Sequence, residues 1–416
     1  MSETLVEPSR REALRAVSTL LLAVTLPATG VQAQVPADSR AALPAARRLR
    51  ASSPAPKSDP RRESTVPTRA GGPTQREGNA ETVLVTGGTG YVAGWCIAEL
   101  LRRGYSVRTT VRSLSKESTV RAAVPADTNA PDRLTCFPAD LLDDNGWDIA
   151  VSGCDYVLHV ASPLGTGDPD NKESLVAPAR DGALRVLRAA TKAGVKRVVM
   201  TSAATAATPP MKNPDSVSDE TVWFDPLEEV DAYRHSKRLA ERAAWDFMKN
   251  HPSAMTLTTV LPGAVFGPIL TTSSLGSTEV IRRLLQGKVP ANPRFGLQVV
   301  DVRDLADLHI RAMTSPRAAG ERFLGVGEFL WMSEISSTLR SRLGEAAREV
   351  PTRNMPDFLF KLFAMFDPSL RAMTPRLGKK HQHTAAKALQ LLGWQSRPAA
   401  TTLVDCAQSL ISNHVI

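Results

Sequence analysis

The chain has 416 residues, of which 42% are hydrophobic and 22% charged, so it is long enough to bury one large core or two. Its formal net charge is +9, but residues 1–80 hold 12 Lys and Arg against 7 Asp and Glu, which leaves the remainder nearly balanced. Because no stripe of basic residues interleaved with aromatic ones occurs, we expect no nucleic-acid partner.

The N-terminal 80 residues are predicted to stand apart from the globular part of the chain. Arg10 and Arg11 precede an apolar run at residues 16–26, and a small-residue end follows at Ala33, so residues 1–33 resemble a twin-arginine export signal. The run is too short to span a bilayer, and we expect no stable membrane insertion. Residues 34–80 contain seven prolines and no hydrophobic periodicity, which predicts a disordered linker.

From Thr82 onward, short apolar runs alternate with longer helical patterns, as in β-α-β units. Helices are predicted after the first run and over residues 176–193 and 232–249. The strands lack polar alternation, which is typical of a parallel sheet covered on both faces. They are predicted at residues 83–85, 107–111, 134–137, 156–160, 197–200 and 257–261, with one later sheet-like run at 322–326.

A glycine-rich turn lies between the first predicted strand and its helix, in the run from Thr86 to Gly94. Gly87 permits a tight turn, and Gly90 lets the backbone approach a pyrophosphate at the helix N-terminus, where free N–H groups favour anions. This strand-turn-helix context predicts a dinucleotide site that includes Gly87, Gly90, Tyr91 and Val92.

The second predicted strand ends in Arg112, with no acidic residue before Glu117. An NAD site usually has Asp or Glu there for the ribose 2′-hydroxyl. A guanidinium instead suits a 2′-phosphate through charge-assisted hydrogen bonds, so Arg112 favours NADP(H) over NAD(H). A surface arginine that merely ends the strand is the alternative.

Tyr233 and Lys237 are four residues apart in the predicted helix at 232–249, so they share one helical face. A phenol is a weak acid–base group at neutral pH, but a neighbouring ammonium favours the phenolate. The pair therefore predicts proton transfer by Tyr233, with Lys237 assisting and also binding the nicotinamide ribose.

Residues 81–416 resemble extended short-chain dehydrogenase/reductases of the dihydroflavonol reductase and cinnamoyl-CoA reductase type, within the NAD-dependent epimerase/dehydratase superfamily. The matching segments are the glycine turn, Arg112, residues 139–141, 159–163 and 261–268, and the Tyr233/Lys237 pair. The resemblance implies an α/β fold with a Rossmann-type doubly wound parallel sheet. Residues 81–265 would form the NADP-binding domain and residues 266–416 mainly the substrate-binding region, with segments at about 297–326 returning to the Rossmann core.

The resemblance also implies further cofactor contacts. Asp140 and Leu141 would bracket the adenine, and Pro262 and Val265 would line the nicotinamide. The strand-end residues expected along the cofactor are Val160, Ala161 and Ser162.

The family usually places a serine, which holds the substrate oxygen, where this chain has Ala203. Ser202 is one residue away and on an extended strand points to the opposite face, although a turn at the end of the strand could redirect it. We assign Ser202 to the catalytic group, with Thr205 as a second candidate.

These observations predict an NADP(H)-dependent reductase in which hydride moves to an aldehyde or ketone carbon while Tyr233 protonates the oxygen; alcohol oxidation uses the same groups. A nucleotide-sugar epimerase or dehydratase is the enzymatic alternative, and a non-catalytic NADP-binding sensor is another, motivated by Ala203. The apolar run at residues 358–366 favours a small hydrophobic substrate but could equally be core.

Two interpretations of the N-terminus stay open: an export signal with its tether, or an extension upstream of the true start. A cytoplasmic location is favoured, because an enzyme that recycles a soluble nicotinamide cofactor works best there. The four cysteines form no C-x-x-C pair or Cys/His cluster, so we expect buried free thiols and no metal site.

Overall fold

The computed structural model describes residues 80–128, 131–162, 173–209, 215–223 and 232–416. The predictions for the export-like segment and the linker therefore lie outside the described residues. The strands, in chain order, are β1 (Thr82–Val85), β2 (Ser106–Val111), β3 (Leu134–Pro138), β4 (Tyr156–His159), β5 (Arg197–Thr201), β6 (Asp215–Ser218), β7 (Thr256–Pro262), β8 (Ala264–Phe266), β9 (Gly296–Asp301), β10 (Arg322–Gly325), β11 (Phe329–Trp331) and β12 (Lys380–His383).

The α-helices alternate with these strands in the first two thirds of the described chain and dominate the last third. They are α1 (Tyr91–Arg102), α2 (Glu117–Ala122), α3 (Trp147–Val151), α4 (Glu173–Lys192), α5 (Ala232–Asn250), α6 (Glu279–Leu285), α7 (Val302–Thr314), α8 (Met332–Leu343), α9 (Asp357–Ala364), α10 (Pro368–Met373), α11 (Ala386–Leu392) and α12 (Ala399–Ser412).

Seven strands form one parallel sheet in the order β10-β7-β5-β4-β1-β2-β3. The chain runs outward from β1 to β3 and then returns to place β4 on the other side of β1. In such sheets the ligand crevice opens at the carboxyl ends of the strands where the order reverses, here between β1 and β4. The predicted Rossmann-type α/β fold is confirmed.

The alternation of side chains along β1 divides the core between the two faces of the sheet. Val83 and Val85 pack with residues of α1 and α7 on one face, while Leu84 packs with residues of α4 and α5 on the other. Both faces are covered by helices, which explains why the strands read as unbroken apolar runs.

The structure adds two small sheets that the sequence did not predict. One contains β11, β9 and β8, and the other pairs β12 with β6 in parallel. The basic run at Lys380–His383 is thus a strand. It lacks an apolar pattern because both strands of this pair are only partly buried. Its partner β6 also lies far back in the sequence, so no local signal indicates the pairing.

All four cysteines are buried as free thiols, as predicted, and burial raises the pKa of Cys96 to about 12. Within the described ranges, no helix is both long and apolar enough to cross a bilayer.

Candidate active site

The glycine turn joins β1 to α1 with little room for side chains. Gly87 has φ +75°, and its N–H donates to Thr110 Oγ1 at 3.0 Å. A Cβ on Gly88 would lie 2.4 Å from Thr109 Oγ1, and one on Gly87 would lie 3.0 Å from Ala161 Cβ. The turn therefore needs glycine at both positions, and it leads directly into the N-terminus of α1.

The end of β1 is tied to the end of β4 by the side chains of Thr86 and His159. Thr86 Oγ1 accepts from the Ala161 N–H at 2.9 Å and lies 3.0 Å from His159 Nδ1. Burial, together with a smaller effect of the Lys237 charge, lowers the pKa of His159 to about 3, so the imidazole is neutral at physiological pH. The hydrogen bond from the Ala161 N–H to Thr86 holds Ala161 beside Gly87, at the crevice.

Tyr91 opens α1, but its side chain belongs to the core. Its hydroxyl donates to the Gly267 carbonyl at 3.0 Å, and burial raises the pKa of the phenol well above its usual value. The backbone N–H is therefore the only group through which Tyr91 can contact a phosphate. Val92, next in the helix, is half-buried.

Arg112, Asp140 and Leu141 lie after β2 and β3. Arg112 is exposed immediately beyond β2. Asp140 Oδ1 accepts from the Leu142 N–H at 3.0 Å, a local turn bond that occupies one of its lone pairs, and Leu141 is buried. The carboxylate thus retains acceptor capacity for a ligand.

The remaining residues that we predicted to contact the cofactor lie at or just beyond the ends of β4 and β7, or in β8. They are Val160, Ala161 and Ser162, all half-buried after β4; Pro262, half-buried at the end of β7; and Val265, buried in β8.

Tyr233 and Lys237 lie one turn apart on α5, Tyr233 half-buried and Lys237 buried. Lys237 Nζ donates to the carbonyl of Thr201, the last residue of β5, at 3.4 Å. Burial lowers the pKa of Lys237 to about 8, although the charge of Glu241 acts in the opposite direction. The ammonium therefore sits at the carboxyl end of the sheet, where the cofactor crevice opens.

Ser202, our candidate for the catalytic group, is engaged in a hydrogen bond within the protein. Its hydroxyl is buried and donates to Glu241 Oε2 at 2.7 Å. Ser202 is the first residue after β5 and keeps the alternation of that strand, so its side chain turns under α5 instead of toward the ligand edge. Ala203, where the resemblance implies a serine, is buried and extended.

A buried network around Glu241 was missed by the sequence analysis. Thr259 Oγ1 donates to Glu241 Oε1 at 2.8 Å, and Arg322 Nε donates to the same oxygen at 2.9 Å. Arg322 also donates to the carbonyls of Glu220 and Ala206, so one side chain joins β10, α5 and the turn after β5. The available signal was a carboxylate one turn beyond Lys237 on the same helical face.

A model of the NAD dependent epimerase/dehydratase family matches residues 83–326. The chain belongs to this family.

Several relatives are reductases. A cinnamoyl-CoA reductase of Medicago truncatula is 38% identical over 266 residues, which cover 62% of this chain and 79% of that protein. The ketoreductase azaE of Aspergillus niger is 35% identical over 354 residues, which cover 80% of this chain and 98% of that protein. Gre2 of Candida albicans, solved in complex with NADPH, has a TM-score of 0.67 at 26% identity and covers 80% of this chain and 99% of its own.

The predicted resemblance to reductases of the cinnamoyl-CoA and dihydroflavonol type is confirmed, and a dihydroflavonol 4-reductase of Zea mays is also a relative, at 32% identity. This family member is an NADP(H)-dependent oxidoreductase.

Proposed function

We propose that the protein reduces the carbonyl group of a small, apolar aldehyde or ketone, or oxidises the corresponding alcohol, through Tyr233 and Lys237. The observation that carries the proposal is the placement of this pair. Lys237 Nζ reaches the carbonyl at the end of β5, and Tyr233 lies one turn away on the same face of α5. The glycine turn opens at the same edge of the sheet.

NADPH, when bound, supplies a hydride to the carbonyl carbon. Tyr233 donates its phenolic proton to the carbonyl oxygen as charge develops there. The Lys237 ammonium stabilises the resulting phenolate, and a Lys237 pKa of about 8 leaves the side chain mostly protonated at neutral pH. The buried position of Lys237 strengthens this interaction because water screens it poorly.

The chain's own groups suit the dinucleotide. The first-turn N–H groups of α1, after Gly87 and Gly90, would bind the pyrophosphate, and Arg112 would bind the 2′-phosphate. Asp140 would accept from the adenine amino group, with Leu141 beside the ring. Val160, Ala161, Ser162, Pro262 and Val265 would line the rest of the cofactor.

The apolar run at residues 358–366 supports the preference for an apolar substrate. It lies mostly in α9, with some of its side chains in the core and others at the surface. Phe360 and Ala364 are buried, whereas Phe358 and Phe366 are 68% and 74% exposed. The run is therefore not simply core. Its exposed part is an apolar surface of the C-terminal region, which we assign to the substrate-binding side of the protein.

The test follows absorbance of NADPH with a panel of aromatic and aliphatic aldehydes and ketones. We expect turnover by the wild-type protein and a loss of at least about 100-fold in Tyr233→Phe with NADPH affinity retained. Tyr105→Phe is the matched control, because Tyr105 precedes β2 at the opposite end of the sheet. Tight NADPH binding without turnover of any carbonyl would favour the sensor, and full activity in Tyr233→Phe would refute the mechanism.

We further propose a cytoplasmic location, because cofactor recycling favours it. Sequencing the N-terminus of the protein from each cell fraction tests this. Protein recovered outside the cytoplasm with Gln34 as its first residue would show that residues 1–33 are an export signal.

A further inference from the structure

The eight residues from Thr201, the last of β5, to Thr208 carry four hydroxyl groups, and three of them are engaged within the protein. Thr201 Oγ1 lies 2.7 Å from His309 Nε2, and Ser202 Oγ donates to Glu241. Thr208 Oγ1 donates to the Ala204 carbonyl at 3.1 Å. These three hydroxyls stabilise the turn and are not available to a ligand without a rearrangement.

Thr205 Oγ1 is different, because it is buried and has no hydrogen-bond partner in the described part of the chain. A buried hydroxyl without a partner is unfavourable, and native proteins rarely retain one unless something else compensates. A ligand oxygen would provide the missing partner.

The backbone around Thr205 is held firmly in place. Its carbonyl accepts from Arg238 Nε at 3.0 Å, and the next carbonyl, that of Ala206, accepts from Arg322 Nη2 at 3.3 Å. Arg238 directly follows Lys237 on α5, while Lys237 itself binds the Thr201 carbonyl. Two consecutive residues of α5 therefore bind this segment on either side of Ala203.

We propose that Thr205 is a catalytic residue whose hydroxyl donates to the substrate carbonyl oxygen, in place of the hydroxyl that Ala203 does not provide. This assignment rests on the proposed carbonyl reduction. Thr205 lies two residues beyond Ala203, at the carboxyl edge of the sheet and on the turn fixed to the helix of Tyr233. Its hydrogen bond strengthens as negative charge develops on the carbonyl oxygen, so it acts mainly on the transition state.

The test compares Thr205→Val, which removes only the hydroxyl, with Thr205→Ser, which keeps it. We expect Thr205→Val to lower kcat/KM for the carbonyl by about 100-fold, the scale of one lost oxyanion donor, and Thr205→Ser to keep most of the activity. NADPH affinity should stay within about twofold. The Tm should not fall, because no internal hydrogen bond is lost.

Two further variants separate a catalytic role from a structural one. Thr208→Val makes the same chemical change in the same turn but removes bonds to Ala204 and His383, so it should lower the Tm more than kcat. Adding Ala203→Ser to Thr205→Val should restore activity, because it returns a hydroxyl to the position where the family has one.

Wild-type kcat/KM in Thr205→Val would overturn the proposal. The proposal would also be overturned if Thr205→Val lowered kcat/KM together with NADPH affinity or Tm, and if adding Ala203→Ser did not restore the activity. If the wild-type protein reduces no carbonyl, the proposed function fails, and this assignment fails with it; the two failures are distinguished by whether the unmodified protein turns over.

Discussion

Ser202 and Glu241 form a buried hydrogen bond in which Ser202 Oγ donates to Oε2 at 2.7 Å. Both side chains are buried, and Glu241 is fully buried. The bond joins the end of β5 to the helix that carries Tyr233 and Lys237. Ser202 therefore helps to hold the start of the turn after β5 against α5, and its hydroxyl is already engaged within the protein.

Ser202→Ala should lower the free energy of unfolding by about 1–3 kcal/mol, because it removes a donor from a buried carboxylate. The value of kcat/KM should change by no more than about threefold, since Glu241 keeps its bonds to Thr259 and Arg322. Urea unfolding monitored by fluorescence, alongside NADPH oxidation, measures both quantities. A large loss of kcat with unchanged stability would support a catalytic role for Ser202.

The Glu241–Arg322 pair should be strongly coupled, because both side chains are buried. Arg322→Met alone should lower the free energy of unfolding by about 3–5 kcal/mol, since it leaves an uncompensated buried carboxylate. Arg322→Met combined with Glu241→Gln should cost less than the sum of the single changes.

A double-mutant cycle in urea measures this coupling. The control is Lys192→Met, which breaks the exposed pair with Asp148 and should change stability by less than about 1 kcal/mol. Additive effects of the Arg322 and Glu241 substitutions would contradict the network.

The parts of this fold that the sequence predicts are those governed by local rules. The strand with Val83 to Val85 is apolar because both faces of the sheet are covered, and Gly87 marks a left-handed turn that another residue would strain. The nucleotide-binding half of the fold and its glycine turn could therefore be predicted. The hydrogen bond of Ser202 could not be predicted, because its partner Glu241 lies 39 residues further along the chain.

The parts that could not be predicted depend on contacts between distant segments. Arg322 meets Glu241 across 81 residues, and nothing near Arg322 in the sequence indicates a buried ion pair. The strand at Lys380–His383 pairs with β6, and both are short and polar. Such elements have no hydrophobic periodicity of their own, so only the folded chain reveals them.

Arg112 should determine the preference for NADPH. Because Arg112 is exposed after β2, its removal should leave the fold unchanged. Arg112→Ala should raise the KM for NADPH by about tenfold while leaving the KM for NADH nearly unchanged, since only NADPH carries the 2′-phosphate.

Steady-state kinetics with NADPH and with NADH measure both KM values. In the wild-type protein, added salt should reduce the difference between the KM for NADPH and the KM for NADH, because it screens the charge of Arg112. Arg348→Ala, a change to an exposed arginine in the C-terminal third, is the control. An equal rise in KM for NADPH and for NADH in Arg112→Ala would show that Arg112 does not bind the 2′-phosphate.

Buried histidines should make the protein sensitive to mild acid. Burial lowers the pKa of His159 to about 3 and that of His309 to about 4, against 6.5 in the unfolded chain. His309 Nδ1 donates to the Leu305 carbonyl at 2.8 Å while Nε2 accepts from Thr201, an arrangement that requires the neutral ring. Below pH 6.5 the unfolded chain therefore binds protons that the folded protein does not.

It follows that the free energy of unfolding falls as the pH drops from 6.5 toward 4, by up to about 1.4 kcal/mol per pH unit for each such histidine. Urea unfolding between pH 5 and 6.5 isolates this effect, because most carboxylates titrate lower. His309→Gln should reduce the slope by the share of one histidine, and His414→Gln, at an exposed position, should leave it unchanged. A slope that is the same in His309→Gln and the wild type would mean that His309 takes up its proton in the folded protein as readily as in the unfolded chain.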